Sequence, residues 1–185
     1  MLSPPLTVFP AGSTLWGRGG TAIWRPVWSI CGKTGADPAI VIDPHTVITA
    51  PWPRLRCQFG CESYGHNHCC PPEAPDYTRT RAVLDSFSTA ILFRIHHYGA
   101  SRMAWECARR LFLAGYYKAL AFGSGPCKLC PACDPAGCRF PGKAIPSMEG
   151  CGIDVFATAR AHGLEIHTLR EMGEEHSHFG LILVE

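Results

Sequence analysis

The sequence predicts an α/β fold, a small mixed sheet with packed helices and two Cys-rich metal-binding loops. Short β-branched runs alternate along the chain with helical patterns, which is typical of helices that pack on a sheet. Cysteine and proline are concentrated in two of the stretches between these elements. With 185 residues, 46% hydrophobic and 17% charged, the chain has the composition of a soluble globular protein. We expect an irregular N-terminal arm at residues 1–35 and a single α/β metal-binding domain at residues 36–185.

The elements of the first half follow from β-branched runs and one capping residue. The segment AIVIDPHTVITAP, which starts at Ala39, predicts a strand pair or a strand-turn-strand unit. Residues 51–75 are rich in Pro and Cys and predict a loop. Asp76 then caps a short helix, YTRTRAVLDSF, and the segment STAILFRIHH predicts a buried strand. The inward-facing side chains of the short helix are expected to be Val83, Leu84 and Phe87.

The second half begins with the longest helical pattern, SRMAWECARRLFLAGYYKALAF, which opens at Ser101 and stops at Gly123. Residues 126–146 predict a second loop. Ser147 is a suitable N-cap for a helix over MEGCGIDVFATARAHG, and FGLILVE predicts a closing buried strand. Because helices link the strands, we expect some parallel pairing in the sheet.

Charge and hydropathy exclude two classes of partner. The formal net charge is only +2, so we do not expect a protein that binds nucleic acid through its overall positive charge. No run of 18 or more apolar residues is present, so we expect no membrane span.

The first residues lack the basic segment of a secretory signal, which predicts a cytoplasmic protein. The arm, with three tryptophans, is a candidate surface for a partner or for a second copy of the chain.

The cysteines carry the strongest functional signal. Eleven cysteines without an export signal indicate metal ligation or redox work rather than a disulfide framework. Eight of them fall in two tight groups, which suggests two halves of an inorganic site. The first group is Cys57, Cys61, Cys69 and Cys70, and the second is Cys127, Cys130, Cys133 and Cys138.

The spacing within the second group favours iron–sulfur chemistry. Two overlapping CxxC units put three thiolates on one tight turn, which suits a [4Fe–4S] cube whose ligands converge on one small object. Zinc is the alternative, although structural zinc usually draws one CxxC from each of two separated knuckles. In the first group, Cys70-Pro71 resembles the Cys-Pro end of a ferredoxin loop. Cys69 is adjacent, cannot easily face the same metal as Cys70, and is interpreted as a spare thiol.

Three ordered motifs resemble the DUF2284 family of predicted metal-binding proteins. They are RCQFGCESYGHNHCCPPEAP (Arg56–Pro75), GYYKALAFGSGPCKLCPAC (Gly115–Cys133) and CRFPGKAIPSMEGCGIDVFATAR (Cys138–Arg160). The resemblance covers roughly residues 33–185 and implies a metal site, but no particular reaction. The cysteines that it implies as ligands are Cys57, Cys61, Cys70, Cys127, Cys130, Cys133, Cys138 and Cys151. Cys31, Cys69 and Cys107 fall outside the family pattern.

Eight thiolates would fill two [4Fe–4S] clusters, whereas seven would leave one iron open to a substrate. We expect Cys57, Cys61 and Cys70 on one cluster and Cys127, Cys130 and Cys133 on the other. Cys138 and Cys151 would supply the remaining corners, in an order that the sequence leaves open. Cys151 decides whether eight thiolates or only seven are available. It is a plausible ligand, because the dipole of the helix in which it is predicted to lie favours a thiolate. The alternative is a small buried helix residue.

The preferred function is electron transfer to a partner redox enzyme through two [4Fe–4S] clusters. One alternative is an iron–sulfur enzyme of reductase or desulfidase type with an open cluster iron. The other is a zinc-stabilised binding module. The sequence leaves open whether the chain is an enzyme or one component of an iron–sulfur oxidoreductase.

The polar residues near the cysteines suit either a catalytic role or an ordinary structural one. Candidate proton donors for an enzyme are Tyr64, His66 and His68. Nearby arginines are expected to offset the charge of thiolate-bound clusters, and these are Arg54, Arg56 and Arg139. Glu149 and Asp154 suit either an acid in a site or the capping of a helix start.

Overall fold

The computed structural model describes residues 38–96, 99–171, 173–174 and 176–185. The predicted arm, residues 1–35, lies outside these ranges and so does Cys31. Both the arm and the boundary of the 36–185 domain therefore stay predictions.

A four-stranded antiparallel sheet forms the centre of the fold. Its strands are β1 (Ala39–Ile42), β2 (Ala90–Ile95), β3 (Leu120–Phe122) and β4 (His178–Leu183). The strand order is β1-β2-β4-β3, and each neighbouring pair in this order runs antiparallel. The α/β class is confirmed, but the expected parallel pairing within the sheet is wrong. β1 and β2 are neighbours, as are β3 and β4, and each of these pairs is antiparallel. The helical connection between β2 and β3 crosses over β4, so the two strands that it links run in the same direction but are not paired.

The described residues contain four α-helices, namely α1 (Trp52–Gly60), α2 (Tyr77–Asp85), α3 (Ala100–Leu113) and α4 (Val155–Ala161). One of them, α2, matches the sequence pattern closely. The cap of α2 is confirmed, because the Asp76 carboxylate accepts a hydrogen bond of 2.8 Å from the Arg79 backbone N–H. Leu84 and Phe87 are buried, as the helical pattern predicts. Among the described residues, no helix has the length and apolar character needed to cross a membrane.

Three element boundaries differ from the sequence prediction. Residues 52–60, predicted as loop, form α1, where the prolines lie before or in the first turn and so cost no helical hydrogen bond. The helix predicted to reach Gly123 ends at Leu113, since Gly115 has a φ of 106°, and β3 begins a few residues later at Leu120. The helix predicted from Ser147 begins only after Asp154. Gly152, with a φ of 77°, interrupts it.

The sheet is covered on both faces, and one cover includes the cysteine-bearing segments. On one face, side chains of alternate strand residues such as Ile91 and Ile182 pack against α3. On the other face, Leu92 and Leu181 pack with α2 and with the segment that contains Met148, Cys151 and Ile153. An isolated bridge joins Thr49 to Ile153, next to the start of α1. The core on this face therefore anchors both cysteine-bearing segments, namely the one between α1 and α2 and the one that precedes α4.

Candidate metal centre

The first thiol group is built at the end of α1. Cys57 lies in the last turn, and the Cys61 backbone N–H donates to the Cys57 carbonyl at 3.2 Å, so the two residues are one helical turn apart. Cys70 is buried, and burial raises the pKa of its thiol to about 11, with further contributions from the neighbouring Cys61 and Cys57 thiols. Burial also raises the pKa of Cys57. These three cysteines, which the sequence assigned to one cluster, thus lie within electrostatic range of each other.

A sharply folded turn segment between α1 and α2 carries Cys70. The Gly65 backbone N–H donates to the Pro71 carbonyl at 2.9 Å, and the Cys70 N–H donates to the Asn67 carbonyl at 2.9 Å. Gly65 has a φ of 71°, a left-handed conformation that glycine adopts without steric cost. The chain consequently doubles back and brings Cys70 towards Cys57 and Cys61.

The second thiol group lines a small cavity in the segment between β3 and α4. Its four cysteines are all partly exposed, and a fifth thiol from the first segment, that of Cys69, completes the cavity wall. The lining residues are His68, Cys69, Cys127, Leu129, Cys130, Cys133, Asp134, Gly137, Cys138 and Arg139. The overlapping CxxC units thus curl around one space, as their spacing predicts.

Residues 67–69 dock the first segment onto the second. The Asn67 side-chain amide donates to the Cys127 carbonyl at 2.8 Å. The His68 backbone N–H donates to Cys133 Sγ at 3.3 Å, and His68 Nδ1 lies 2.7 Å from the Pro135 carbonyl oxygen. A carbonyl only accepts, so Nδ1 carries the proton of this ring. These contacts hold the two cysteine-bearing segments together at one end of the fold.

Cys69 belongs with the second group and its neighbour Cys70 with the first. Burial raises the pKa of Cys69 to about 12, and the Cys127 thiol adds to the shift by its charge and by a hydrogen bond. The expectation that Cys69 does not face the same metal as Cys70 agrees with this placement. Sequence reasoning nevertheless overlooked where Cys69 points. No local signal gave this direction, because Cys69 lies in a turn closed by the hydrogen bond from the Cys70 backbone N–H to the Asn67 carbonyl.

Cys151 occupies a different environment from the one predicted. It lies in a turn before α4 and not in the first turns of a helix, because Gly152 breaks the helical path. Its side chain is 0% exposed within the core, and burial raises the pKa of its thiol to about 12. The Arg54 charge and the nearby Thr80 hydroxyl only partly oppose that shift. The predicted helix-dipole stabilisation of a Cys151 thiolate is therefore wrong.

Arg54 joins the segments around the first group. Its Nη1 donates to the carbonyls of Ala74, Pro75 and Gly150 at 2.9, 2.9 and 2.8 Å. Its positive charge also lowers the pKa values of the Cys57 and Cys151 thiols against the effect of burial. Of the other two arginines, Arg139 lines the cavity of the second group. Arg56 instead lies over the Trp52 ring, 5.4 Å from its centroid.

The two acidic candidates have separate roles. Asp154 caps α4, accepting from the Ala157 backbone N–H at 2.8 Å and from Trp52 Nε1 at 3.1 Å, so the capping interpretation is confirmed for it. Glu149 is partly buried, and burial raises the pKa of its carboxyl group, although hydrogen bonds, including those from Ser147 and Gly125, lower it. Its Oε2 atom has no hydrogen-bond partner among the described residues. Among the three candidate proton donors, only His68 lines the cavity.

Both groups consist mainly of cysteine thiols, a donor set that suits zinc as well as an iron–sulfur cluster. None of the ten described cysteines forms a disulfide bond. Among the residues that the structure describes, no three His, Cys, Asp or Glu side chains converge as closely as a single metal ion requires. A [4Fe–4S] cube takes thiolates at four separate iron corners, so its ligands surround a larger object. Cysteines dominate each group, and such cubes are held by cysteine thiolates, which form when the metal binds.

The fold and the paired thiol groups define a cysteine-rich α/β protein. A family model described as predicted metal-binding protein (DUF2284) matches residues 40–184, so the chain belongs to that family of predicted metal-binding proteins. The resemblance inferred from the three motifs is thereby confirmed. No curated protein and no solved structure matches the chain.

Proposed function

We propose that this protein binds two [4Fe–4S] clusters and transfers electrons to a partner redox enzyme. Cys57, Cys61 and Cys70, with Cys151, would hold the first cluster. The thiols of the second loop would hold the second cluster, namely Cys127, Cys130, Cys133 and Cys138. We propose the cytoplasm as the location, since cysteines that serve as metal ligands are typical of a reducing compartment.

The proximity of the two thiol groups carries this proposal. The thiols of Cys61 and Cys57 in the first group and of Cys127 and Cys133 in the second all raise the pKa of Cys70. Cys70 therefore lies within electrostatic range of both groups. When bound, each cluster would accept and release an electron at a potential set by its surroundings. Two clusters at such proximity would exchange electrons without a large rearrangement of the protein.

The chain's own residues supply the surroundings that tune a cluster. The His68 backbone N–H donates to Cys133 Sγ, and hydrogen bonds to ligand sulfur stabilise the more negative reduced state. Arg139 on the cavity wall and Arg54 beside Cys57 place positive charge near the two groups. These contacts favour reduction and so raise the potential.

Exposure supports delivery of electrons to a separate protein. Cys61 is exposed, and the four cysteines of the second segment are partly exposed, whereas Cys70 between them is buried. A partner protein would thus be able to dock close to either cluster, on either side of the buried Cys70. The expected partner is a redox enzyme.

The burial of Cys151 favours one alternative, an iron–sulfur enzyme with an open iron. If Cys151 remains in the core, the first group supplies three thiolates and one corner stays available for a substrate. A reductase or a desulfidase would use that corner. Cys151→Ala separates the two functions, because loss of iron on this substitution supports full thiolate ligation. Unchanged iron content supports an open corner.

The proposal is tested by iron and zinc content, together with a visible spectrum, on protein purified without oxygen. We expect about eight irons per chain and the broad visible absorption of thiolate-bound clusters. A colourless protein with zinc contradicts electron transfer and supports a zinc-stabilised binding module.

A further inference from the structure

We infer that Cys69, which lies outside the family pattern, is a ligand of the second cluster and shares one of its corners with Cys138. The inference rests on the proposed function, because it requires a cluster at the second thiol group. The ligands of the second cluster would then come from both cysteine-bearing segments instead of from the second one alone. It also assigns a role to a thiol that the sequence treated as a spare.

Five thiols surround the second cavity, although a cube has four corners. Cys127, Cys130 and Cys133 lie on one tight turn of overlapping CxxC units and account for three of them. Cys69 and Cys138 are the remaining two, and both line the same cavity. Cys69 is 7% exposed and Cys138 is partly exposed, so the cavity wall holds one buried and one more accessible thiol besides the three of the CxxC turn.

The position of Cys69 is fixed by its neighbours. The Cys69 backbone N–H donates to Asn67 Oδ1 at 3.0 Å, while the amide nitrogen of the same side chain donates to the Cys127 carbonyl. Asn67 is itself buried. The side chain of Cys69 interacts directly with the Cys127 thiol, which the sequence already assigns to the second cluster. A buried amide therefore couples the backbone of Cys69 to the ligand turn.

The dipeptide Cys69–Cys70 then gives the two sites a common covalent connection. Cys70 is assigned to the first cluster, and a single peptide bond joins it to Cys69 on the second. Electrons moving between the clusters would have this short bonded path. This feature extends the proposed electron transfer, because it ties the two cofactors to one rigid, buried point of the chain.

Alanine substitutions test the shared corner, since alanine offers no ligand atom. The variants are Cys69→Ala, Cys138→Ala and the double variant. Cys107→Ala is the control, because Cys107 is buried on α3 in the core across the sheet. The wild type is measured first, and wild-type protein without iron refutes the proposed function itself. With iron present, we expect each single variant to keep about eight irons and the double variant about four.

Three results overturn the inference. Cys138→Ala with about four irons shows that Cys69 does not replace Cys138. Cys69→Ala with about four irons shows that Cys138 does not replace Cys69. A double variant with about eight irons shows that neither thiol is needed. Circular dichroism checks folding, and Cys69→Ser with Cys138→Ser repeats the comparison with side chains closer in size if an alanine variant fails to fold. A serine oxygen that ligates the cluster would be recognised by an altered electron paramagnetic resonance spectrum.

Discussion

Arg54 stabilises the first site through backbone carbonyls of two segments distant in sequence. Ala74 and Pro75 precede α2, while Gly150 precedes α4. A partly buried guanidinium group satisfies all three carbonyls, and no other described cation is seen to donate to them. Its loss would leave acceptors without a donor near Cys57 and Cys151.

We therefore expect Arg54→Ala to lower the free energy of unfolding by about 2–3 kcal/mol, since hydrogen bonds from a charged donor are lost together. Arg56→Ala on the same helix is the matched control. Its guanidinium lies over Trp52 at the surface, and we expect a cost below about 1 kcal/mol. Urea denaturation of both variants measures the difference. Equal losses would contradict the joining role of Arg54.

Cys151 gives the metal-free chain a pH-dependent stability. Its folded pKa of about 12 lies above the ordinary value of 9.0, so folding favours the neutral thiol. The contribution is fully present below pH 9.0 and is lost as the pH rises through about 12. Between about pH 8 and about pH 10, we expect stability to fall by about 1 kcal/mol more in wild type than in Cys151→Ala. Urea denaturation at both pH values checks this, and identical pH dependence in the two proteins refutes it.

At the scale of single residues, the spacing of the cysteines predicted the two thiol groups but not the direction of every cysteine side chain. The CxxC overlap indicated one curled segment, and Cys57, Cys61 and Cys70 do lie together. The directions of Cys69 and Cys151 depend on backbone turns set by tertiary contacts. In particular, the hydrogen bond from Asn67 to the Cys127 carbonyl involves residues 60 positions apart, which no local pattern reports.

Among the elements, the turn before α4 depends on a glycine. Gly152 has a φ of 77°, and a Cβ atom there would lie 2.7 Å from the Tyr77 Cβ and 3.0 Å from its Cα. The turn therefore packs directly on the start of α2. This contact keeps Cys151 in the core and out of α4.

Gly152→Ala is expected to destabilise the fold by about 3 kcal/mol or more, since it adds overpacking to a left-handed conformation. Gly163 provides the control, with a φ of 71° and no atom within 4 Å of an added Cβ. Gly163→Ala should cost only about 1 kcal/mol. Thermal unfolding compares the two variants, and equal shifts in melting temperature would show that the Tyr77 contact is unimportant.

Element prediction succeeded where periodicity and capping agreed and failed where glycine or proline was misjudged. Asp76 and the apolar spacing of α2 gave its position within a residue or two. The prolines before Cys57 suggested a loop, although proline at a helix start is compatible with α1. The pattern after Ser101 was extended through Gly115, where a positive φ ends the helix.

For the whole molecule, composition and alternation predicted the α/β class but not the direction of the strands. A helix between strands implies parallel pairing only when the chain crosses over to a parallel neighbour. Here β1 and β2 are adjacent and antiparallel, although α1 and α2 separate them along the chain. The strand order, with β4 between β2 and β3, depends on long-range packing that the local sequence does not encode.

The central claim is that two neighbouring clusters occupy the two thiol groups. Electron paramagnetic resonance of the reduced protein, purified without oxygen and with its iron content known, tests it most directly. The account predicts about eight irons per chain and a spectrum broadened by magnetic interaction between adjacent reduced clusters. A zinc protein without a signal, or a single isolated cluster signal with about four irons, would contradict it.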